Sequence, residues 1–515
     1  MIDPKIREQV HTYLHAHKAE ILADLETLVR IPSVRGEALP EMPYGKACAD
    51  VLSAFAALCG RENIPVSVAE TKDYLTADYG QGETMLGLFS HLDVVGVGED
   101  WGVTAPFAPQ EKDGFLFGRG VSDDKSGAVI SLYILKMLKE LSVPMHSAVR
   151  VVCGANEESG MADMDSYVSR EPIPDFSLVI DTAFPLYHGN KSNVTFTAVQ
   201  NEPFAEIRSL CGGTAESGTV LGEAEAVLLY SDAMRDELLA KKNDRISVET
   251  DENGGVPVLV LRARGIPTHG ALPEGSLNAG YLLCGLLSRC ETLCEGDRRK
   301  TAVLAEMLGR YYGEWFGIAH TDVFGKTTCI NRQIAFSDGK PTLYFNIRHG
   351  STQTAEEIKA GVGAALSANG FSLLQTAEKP GYYIPADDPY VKGLLSVYAE
   401  FTGNAGARGV LNAGGTYARK LGGKAVETGT WMWKRPAPVL PQGHGNVHQP
   451  DEFIDAEGFL DAVEVNLYML LEADRLVCGK YRTRQYGEYP SEADRNRTSA
   501  QEARQSDRNA GRRRY

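Results

Sequence analysis

Short apolar runs in the first part of the chain alternate with helical stretches, and each run gives way to a histidine or a carboxylate. Met85–Ser90 leads into His91-Leu92-Asp93, Ala148–Gly154 into Asn156-Glu157-Glu158, and Leu178–Ile180 into Asp181. The pattern predicts strands over 85–90, 148–154 and 178–181. Helices are predicted over Asp3-Pro4 to about Leu28, Gly45 to Leu58, and Gly127–Leu138. Asp before Pro is a cap followed by a residue suited to the first helical turn. Alternation of this kind argues for an α/β sheet with helices on its faces. In such sheets ligand sites gather outside the carboxyl ends of the strands.

The middle of the chain reads differently. Val194–Val199 and Val256–Ala263 look like strands of a separate sheet, and Leu277–Cys290 and Ala355–Ala368 are helical. Ile330–Phe336 and Thr342–Ile347 flank Ser337-Asp338-Gly339-Lys340, a hairpin signal. After this insert, Pro389–Phe401 and Glu457–Leu471 read as helices returning to the first unit. The expected organisation is a first unit over 1–187 and 379–480, an inserted unit over 188–378, and a tail over 481–515. The tail is polar, Arg-rich and nearly devoid of aliphatic residues, which predicts a disordered basic segment.

A chain of 515 residues is long enough for two or more domains with ample cores. Its net charge of −16 argues against a nucleic-acid partner. No apolar run approaches the length of about 20 residues that spans a bilayer, so no membrane partner is expected. Met1-Ile2-Asp3-Pro4-Lys5 lacks the basic and apolar regions of a signal peptide. The nine cysteines include no Cys-x-x-Cys pair. That usage suggests reduced thiols and a cytoplasmic location.

His91 and Asp93 lie two apart on an extended chain, so both point to one side. Such an imidazole can hold a metal while the carboxylate takes its other ring N–H. A structurally satisfied histidine would look the same. Four further segments bear on the choice. Gly118-Arg119-Gly120-Val121-Ser122-Asp123-Asp124 enters a helix, Glu157-Glu158 and Asp181 follow strands, and His448 lies in Gly443–Glu452. Each has a plain alternative: Asp123-Asp124 as a helix cap, Glu157-Glu158 as an exposed acidic pair, His448 as a loop histidine. Their joint occurrence favours a mixed His/carboxylate metal site. Such a set suits Zn²⁺, and also Mn²⁺ or Co²⁺.

With these motifs the chain resembles the M20 family of dinuclear metallopeptidases, and within it the bacterial PepV/Sapep dipeptidases. Pro267-Thr268-His269-Gly270, Asn346-Ile347-Arg348 and Ala413–Arg419 extend the likeness over nearly all of the chain up to about residue 475. The resemblance implies a zinc-peptidase fold, with a mixed-sheet α/β catalytic domain and an inserted α+β lid domain. It implies two divalent ions, with Asp123 bridging them. His91 and Asp181 would complete one ion's shell, and Glu158 and His448 the other's. Glu157 would be the general base, and Asp93 would orient His91. His269 would contribute to the oxyanion site, and Arg348 would hold the substrate's C-terminal carboxylate. Gly414, Gly415 and Thr416 would let backbone amides approach the substrate. The extra lid subdomain of the PepV arrangement takes the place of a dimer partner, which points to a monomer.

Two segments depart from the pattern. Thr214–Val220 lacks the Asn-x-Val-Pro segment usual early in the lid, and Gly429-Thr430-Trp431-Met432-Trp433-Lys434-Arg435-Pro436 is unusual. The favoured reading is a dipeptidase acting on short peptides with free termini. Hydrolysis of N-acyl amino acids or succinyl-diaminopimelate on the same fold is the alternative, and a catalytically silent binding protein is a third.

Overall fold

The computed structural model describes residues 2–215 and 217–483. Its largest sheet runs in the order Val66–Val68, Tyr74–Tyr79, Ala148–Gly154, Met85–His91, Phe176–Thr182, Ala425–Gly429, Tyr187–Asn190, Tyr382–Tyr383, with Val410–Asn412 also paired to Tyr187–Asn190. The four strands 148–154, 85–91, 176–182 and 425–429 are mutually parallel, and antiparallel strands flank them. The carboxyl ends of the parallel strands therefore open on one edge. That edge carries His91, Asp181 and the turn after Gly154.

Helices cover this sheet. Pro4–Val29 starts at Asp3, whose side chain accepts the Lys5 N–H at 2.8 Å, and buries Val10, Leu14, Ile21, Leu25 and Leu28. Lys125–Glu140 is buried along nearly its whole length. A Cβ on Gly127 would lie 2.2 Å from the Ile180 carbonyl oxygen, so only glycine lets this helix approach the strand carrying Asp181. Ala456–Thr483 is longer than the sequence pattern suggests, and residues 481–483 belong to its last turn. The remainder of the expected basic tail, 484–515, lies outside the described residues.

A second, fully antiparallel eight-stranded sheet runs Ile246–Asn253, Val256–Arg264, Glu223–Leu229, Ile207–Gly213, Thr328–Ser337, Lys340–His349, Ser192–Gln200, Phe371–Lys379. The expected hairpin is there: Ser337 pairs with Lys340. Helix Ala279–Leu287 begins two residues after its expected start, because the Asn278 side chain caps it by accepting the Tyr281 N–H at 3.1 Å. Ala355–Ala368 opens with a Thr354/Glu357 capping box. Each sheet has its own apolar cluster. One includes Leu88, Phe89, Val129, Val151 and Ile180, the other Phe196, Leu261, Leu283, Phe345 and Ile358. The chain passes between sheets at Lys191 and again at Pro380-Gly381.

Candidate active site

His91 ends its strand with 1% of its side chain exposed. Its Nδ1 lies 2.9 Å from the Asp93 main-chain oxygen. A carbonyl oxygen only accepts, so Nδ1 carries the proton and donates, and Nε2 faces the site. That Nε2 is 2.9 Å from Asp123 Oδ1 and 3.5 Å from Asp181 Oδ1. Asp93 thus holds the ring chiefly through its backbone, and its carboxylate is 3.5 Å from Nδ1. The carboxylate instead accepts the main-chain N–H of Glu157 at 3.0 Å and of Glu158 at 3.2 Å. This differs from the sequence-based expectation. Residues i and i+2 do share a side, but the turn after Gly154 brings two stronger claimants to that carboxylate.

The paired aspartates divide the two roles the sequence offers them. Asp124 caps the helix, accepting the Gly127 N–H at 3.2 Å, and also accepts the His91 N–H at 3.1 Å. Asp123 points into the site, with Oδ1 at His91 and Oδ2 at 3.1 Å from His448 Nε2. His448 Nε2 is likewise 3.1 Å from Glu158 Oε1. Two donor clusters result, His91/Asp123/Asp181 and Asp123/Glu158/His448, each with its ligand atoms within 4.8 Å of one another. Asp123 belongs to both.

The electrostatics suit cations. Burial, reinforced by the Asp181 carboxylate, pushes Glu157 well above the usual carboxyl range. Burial likewise pushes Asp181 up to about 6. Burial opposes a charge on His91, yet Asp181 and Asp123 outweigh it and hold the imidazole well above its ordinary value. A histidine and carboxylate set this crowded is one that divalent ions would neutralise.

Two residues outside the expected set hold the Asp123 loop. Glu452 Oε1 accepts the N–H groups of Gly120, Ser122 and Asp123 at 3.1, 2.9 and 3.2 Å. Its other oxygen pairs with Arg119 Nη1 at 2.6 Å, and both side chains are 1% exposed. Arg119 and Glu452 stand inside segments the sequence already marks, but their partnership across the chain is not visible there.

Glu157 and Glu158 line a cleft of about 290 Å³ together with Arg348, Gly414, Gly415 and Arg419. Arg348, from the second sheet, reaches across to donate to the Ala413 carbonyl at 2.5 Å. Gly414 turns its N–H to Asn412 Oδ1 at 3.0 Å, and Thr416 Oγ1 accepts the Ala418 N–H at 3.2 Å. A Cβ on Gly415 would fall 1.6 Å from the Arg419 guanidinium, so this glycine makes the space for that arginine. The sequence-based reading of these three as amides approaching substrate misses Arg419, which the motif itself contains. His269 lies in the loop after Val256–Arg264 and is not among the residues lining this cleft. Burial and then the Arg348 charge hold its imidazole below the ordinary value. A larger cavity of about 960 Å³ is lined by Asp123 and Asp181 and walled in part by Phe184, Tyr187, Tyr398, Trp431 and Trp433. The unusual Trp431–Trp433 segment is therefore a wall of the site. Trp431 Nε1 donates to Ser122 Oγ at 3.0 Å.

The family profile described as "Peptidase family M20/M25/M40" matches residues 87–472. The chain belongs to this peptidase family. It is a metallopeptidase. "Putative dipeptidase YtjP" of Bacillus subtilis (strain 168) is 28% identical over 461 residues, covering 86% of this chain and 95% of that protein. A "Putative dipeptidase" of Staphylococcus epidermidis is 27% identical over 474 residues, covering 88% and 96%. Among solved structures, human carnosine dipeptidase 1 aligns with a TM-score of 0.51 at 14% identity, covering 92% of this chain and all of that one. The di-peptidase Dug1p from Saccharomyces cerevisiae aligns with a TM-score of 0.52 at 13% identity, covering 91% and 98%. These likenesses establish the fold: a mixed-sheet α/β zinc-peptidase domain carrying an inserted α+β lid domain. Among the described residues no helix is long and apolar enough to cross a membrane.

Proposed function

We propose that this metallopeptidase is a dipeptidase that uses two divalent ions and Glu157 as general base. The observation that carries the reading is Asp123, shared by two donor clusters that sit beside Glu157 on a cleft also reached by Arg348. The names of the bacterial relatives, which are dipeptidases in title, agree with it.

His91, Asp123 and Asp181 would hold one ion, and Asp123, Glu158 and His448 the other. Zn²⁺ fits this donor set best, with Mn²⁺ or Co²⁺ also compatible. When bound, the ions supply Lewis-acid polarisation of the scissile carbonyl and acidify the attacking water. Glu157 takes the water's proton on its carboxylate and delivers it to the leaving amine. Asp93 fixes the turn that presents Glu157. Arg348 suits the free C-terminal carboxylate, since a planar guanidinium offers paired donors. His269 would donate to the developing oxyanion, and Gly414, Gly415 and Thr416 shape the floor beneath the substrate. Residues 1–187 and 379–480 would form the catalytic domain, with 188–378 as its lid. All nine cysteines are unpaired, five of the nine at 0% exposure, which suits a reducing cytoplasm. The substrate would be a small peptide, and the working unit a monomer.

The test is a comparison of unblocked dipeptides with N-acyl amino acids, using protein loaded with Zn²⁺ or Mn²⁺. Turnover of free dipeptides is expected. Turnover confined to the acyl substrates would replace this reading with that of an amide hydrolase.

A further inference from the structure

Three largely buried basic side chains line the cleft that Glu157 and Glu158 share, and no carboxylate is ion-paired to any of the three. Lys191, Arg348 and Arg419 all line it. Lys191 is the single residue between strand Tyr187–Asn190 of the large sheet and strand Ser192–Gln200 of the second, and it is 6% exposed. Its Nζ donates to the Lys326 carbonyl at 2.6 Å, one acceptor for an ammonium with three donors. Arg348 donates to Ala413, and Arg419 Nη2 donates to Asn190 Oδ1 at 3.2 Å. The Nε atoms of both arginines are buried without a hydrogen-bond partner. Among the described residues, no carboxylate oxygen lies within 4.0 Å of any of the three cationic groups.

Of the other charged residues of the lining, Lys379 is exposed to solvent, Glu158 faces His448 at 3.1 Å, and two more are paired inside the protein. Lys420 pairs with Asp165 at 2.6 Å, and Glu378 with Lys359 at 2.7 Å. The three unpaired cations also feel one another. Burial, and then the Arg419 guanidinium, holds Arg348 below the ordinary arginine range. Burial lowers Lys191 too; Asp322 opposes this and Arg348 adds to it. Burial lowers Arg419, against the pull of Glu157 and Glu427. Like charges held out of water with donors unused favour an arriving anion strongly. One carboxylate occupies one guanidinium fork. It leaves a second fork and an ammonium.

We infer that this cleft is a two-anion subsite, and that the preferred substrates are dipeptides whose C-terminal residue is aspartate or glutamate. The inference rests on the dipeptidase reading above and adds the side-chain class to it. Arg348 takes the α-carboxylate, and Lys191 and Arg419 take the side-chain carboxylate. Lys191 stands at the crossing between the two sheets, so an acidic residue would be gripped by both.

The test uses the full-length, metal-loaded protein and the near-isosteric pair Leu-Glu and Leu-Gln. A charge-assisted hydrogen bond in a desolvated cleft gives a kcat/KM ratio on the order of ten- to a hundredfold in favour of Leu-Glu. Lys191→Gln is expected to draw that ratio toward one, and Lys191→Arg to restore part of it. Equal rates on the two peptides overturn the acidic subsite and leave the dipeptidase reading standing. So does an unchanged ratio in a folded Lys191→Gln variant. If that variant does not fold, the wild-type ratio alone decides. If neither peptide is cleaved, the dipeptidase reading falls, and calorimetric titration with the same pair decides the subsite. Tighter binding of Leu-Glu supports it, and equal affinities overturn it.

Discussion

The Asp93 carboxylate lies 3.0 Å from the main-chain nitrogen of Glu157, and its other oxygen lies 3.2 Å from that of Glu158. One side chain therefore sets the position of both glutamates, while its backbone carbonyl holds the His91 ring. Asp93→Asn keeps the shape but turns one acceptor into a donor facing an N–H. Loss of such a supporting contact typically costs ten- to a hundredfold in metal affinity or activity. A loss of that size in kcat/KM is expected, with bound metal measured alongside. Unchanged kinetics would remove Asp93 from this role.

Glu157 is half-buried beside the donor clusters but belongs to neither. Glu157→Gln should keep its metal content and lose about 10²–10⁴ in kcat, the usual worth of a general base. Metal analysis and steady-state kinetics on one preparation separate the two effects. Undiminished turnover would assign the base elsewhere.

What the sequence made legible follows from locality. His91, Glu157, Glu158 and Asp181 each stand at the end of a predicted strand, and parallel pairing brings strand ends together whatever the intervening chain does. The alternation of apolar runs predicts those strands and Asp3-Pro4 predicts the first cap, whereas the equally local Asn278 cap goes unread and its helix is expected from Leu277. The pairing of Arg119 with Glu452, and of Lys191 with the Arg348 cleft, depends on chain crossings that leave no periodic mark. Strands Ile246–Asn253 and Phe371–Lys379 were also silent. They form the two edges of the second sheet and expose most of their residues, so their sequences carry no apolar alternation.

Metal removal should loosen the fold as well as abolish activity. Clustered carboxylates at the site repel one another without a counterion. A ligand that binds only the folded state at a hundred times its Kd adds about 2.7 kcal/mol. Chelation followed by dialysis is expected to lower the melting temperature by several degrees, and readdition of Zn²⁺ or Mn²⁺ to restore it. Identical melting curves with and without metal would contradict the assigned donors.

Arg119 and Glu452 form a fully buried ion pair that orders the loop ahead of Asp123. Arg119→Met leaves a buried carboxylate without its cation, a change that costs about 3–5 kcal/mol when a buried pair is broken. Urea denaturation of the metal-free protein should show a loss in that range. A loss under about 1 kcal/mol, the scale of an exposed pair, would mean that the three backbone N–H groups suffice to hold Glu452.

Glu427 supplies a pH dependence away from the donor clusters. It is 0% exposed, and Oε1 accepts from Asn190 Nδ2 at 2.8 Å and Tyr382 OH at 3.0 Å. Burial pushes its carboxyl up to about 7, against an unfolded value near 4.5. The folded state then binds the extra proton between those two values, so stability falls as pH rises through that window. The contribution is on the order of 2–3 kcal/mol. Glu427→Gln mimics the protonated form and should flatten the slope between pH 5 and pH 7 while the two proteins stay similar at pH 5. Denaturant midpoints measured at both pH values, with and without the substitution, give the comparison. Parallel slopes in the two proteins would show that Glu427 is ionised throughout, held by its two donors against the cost of burial.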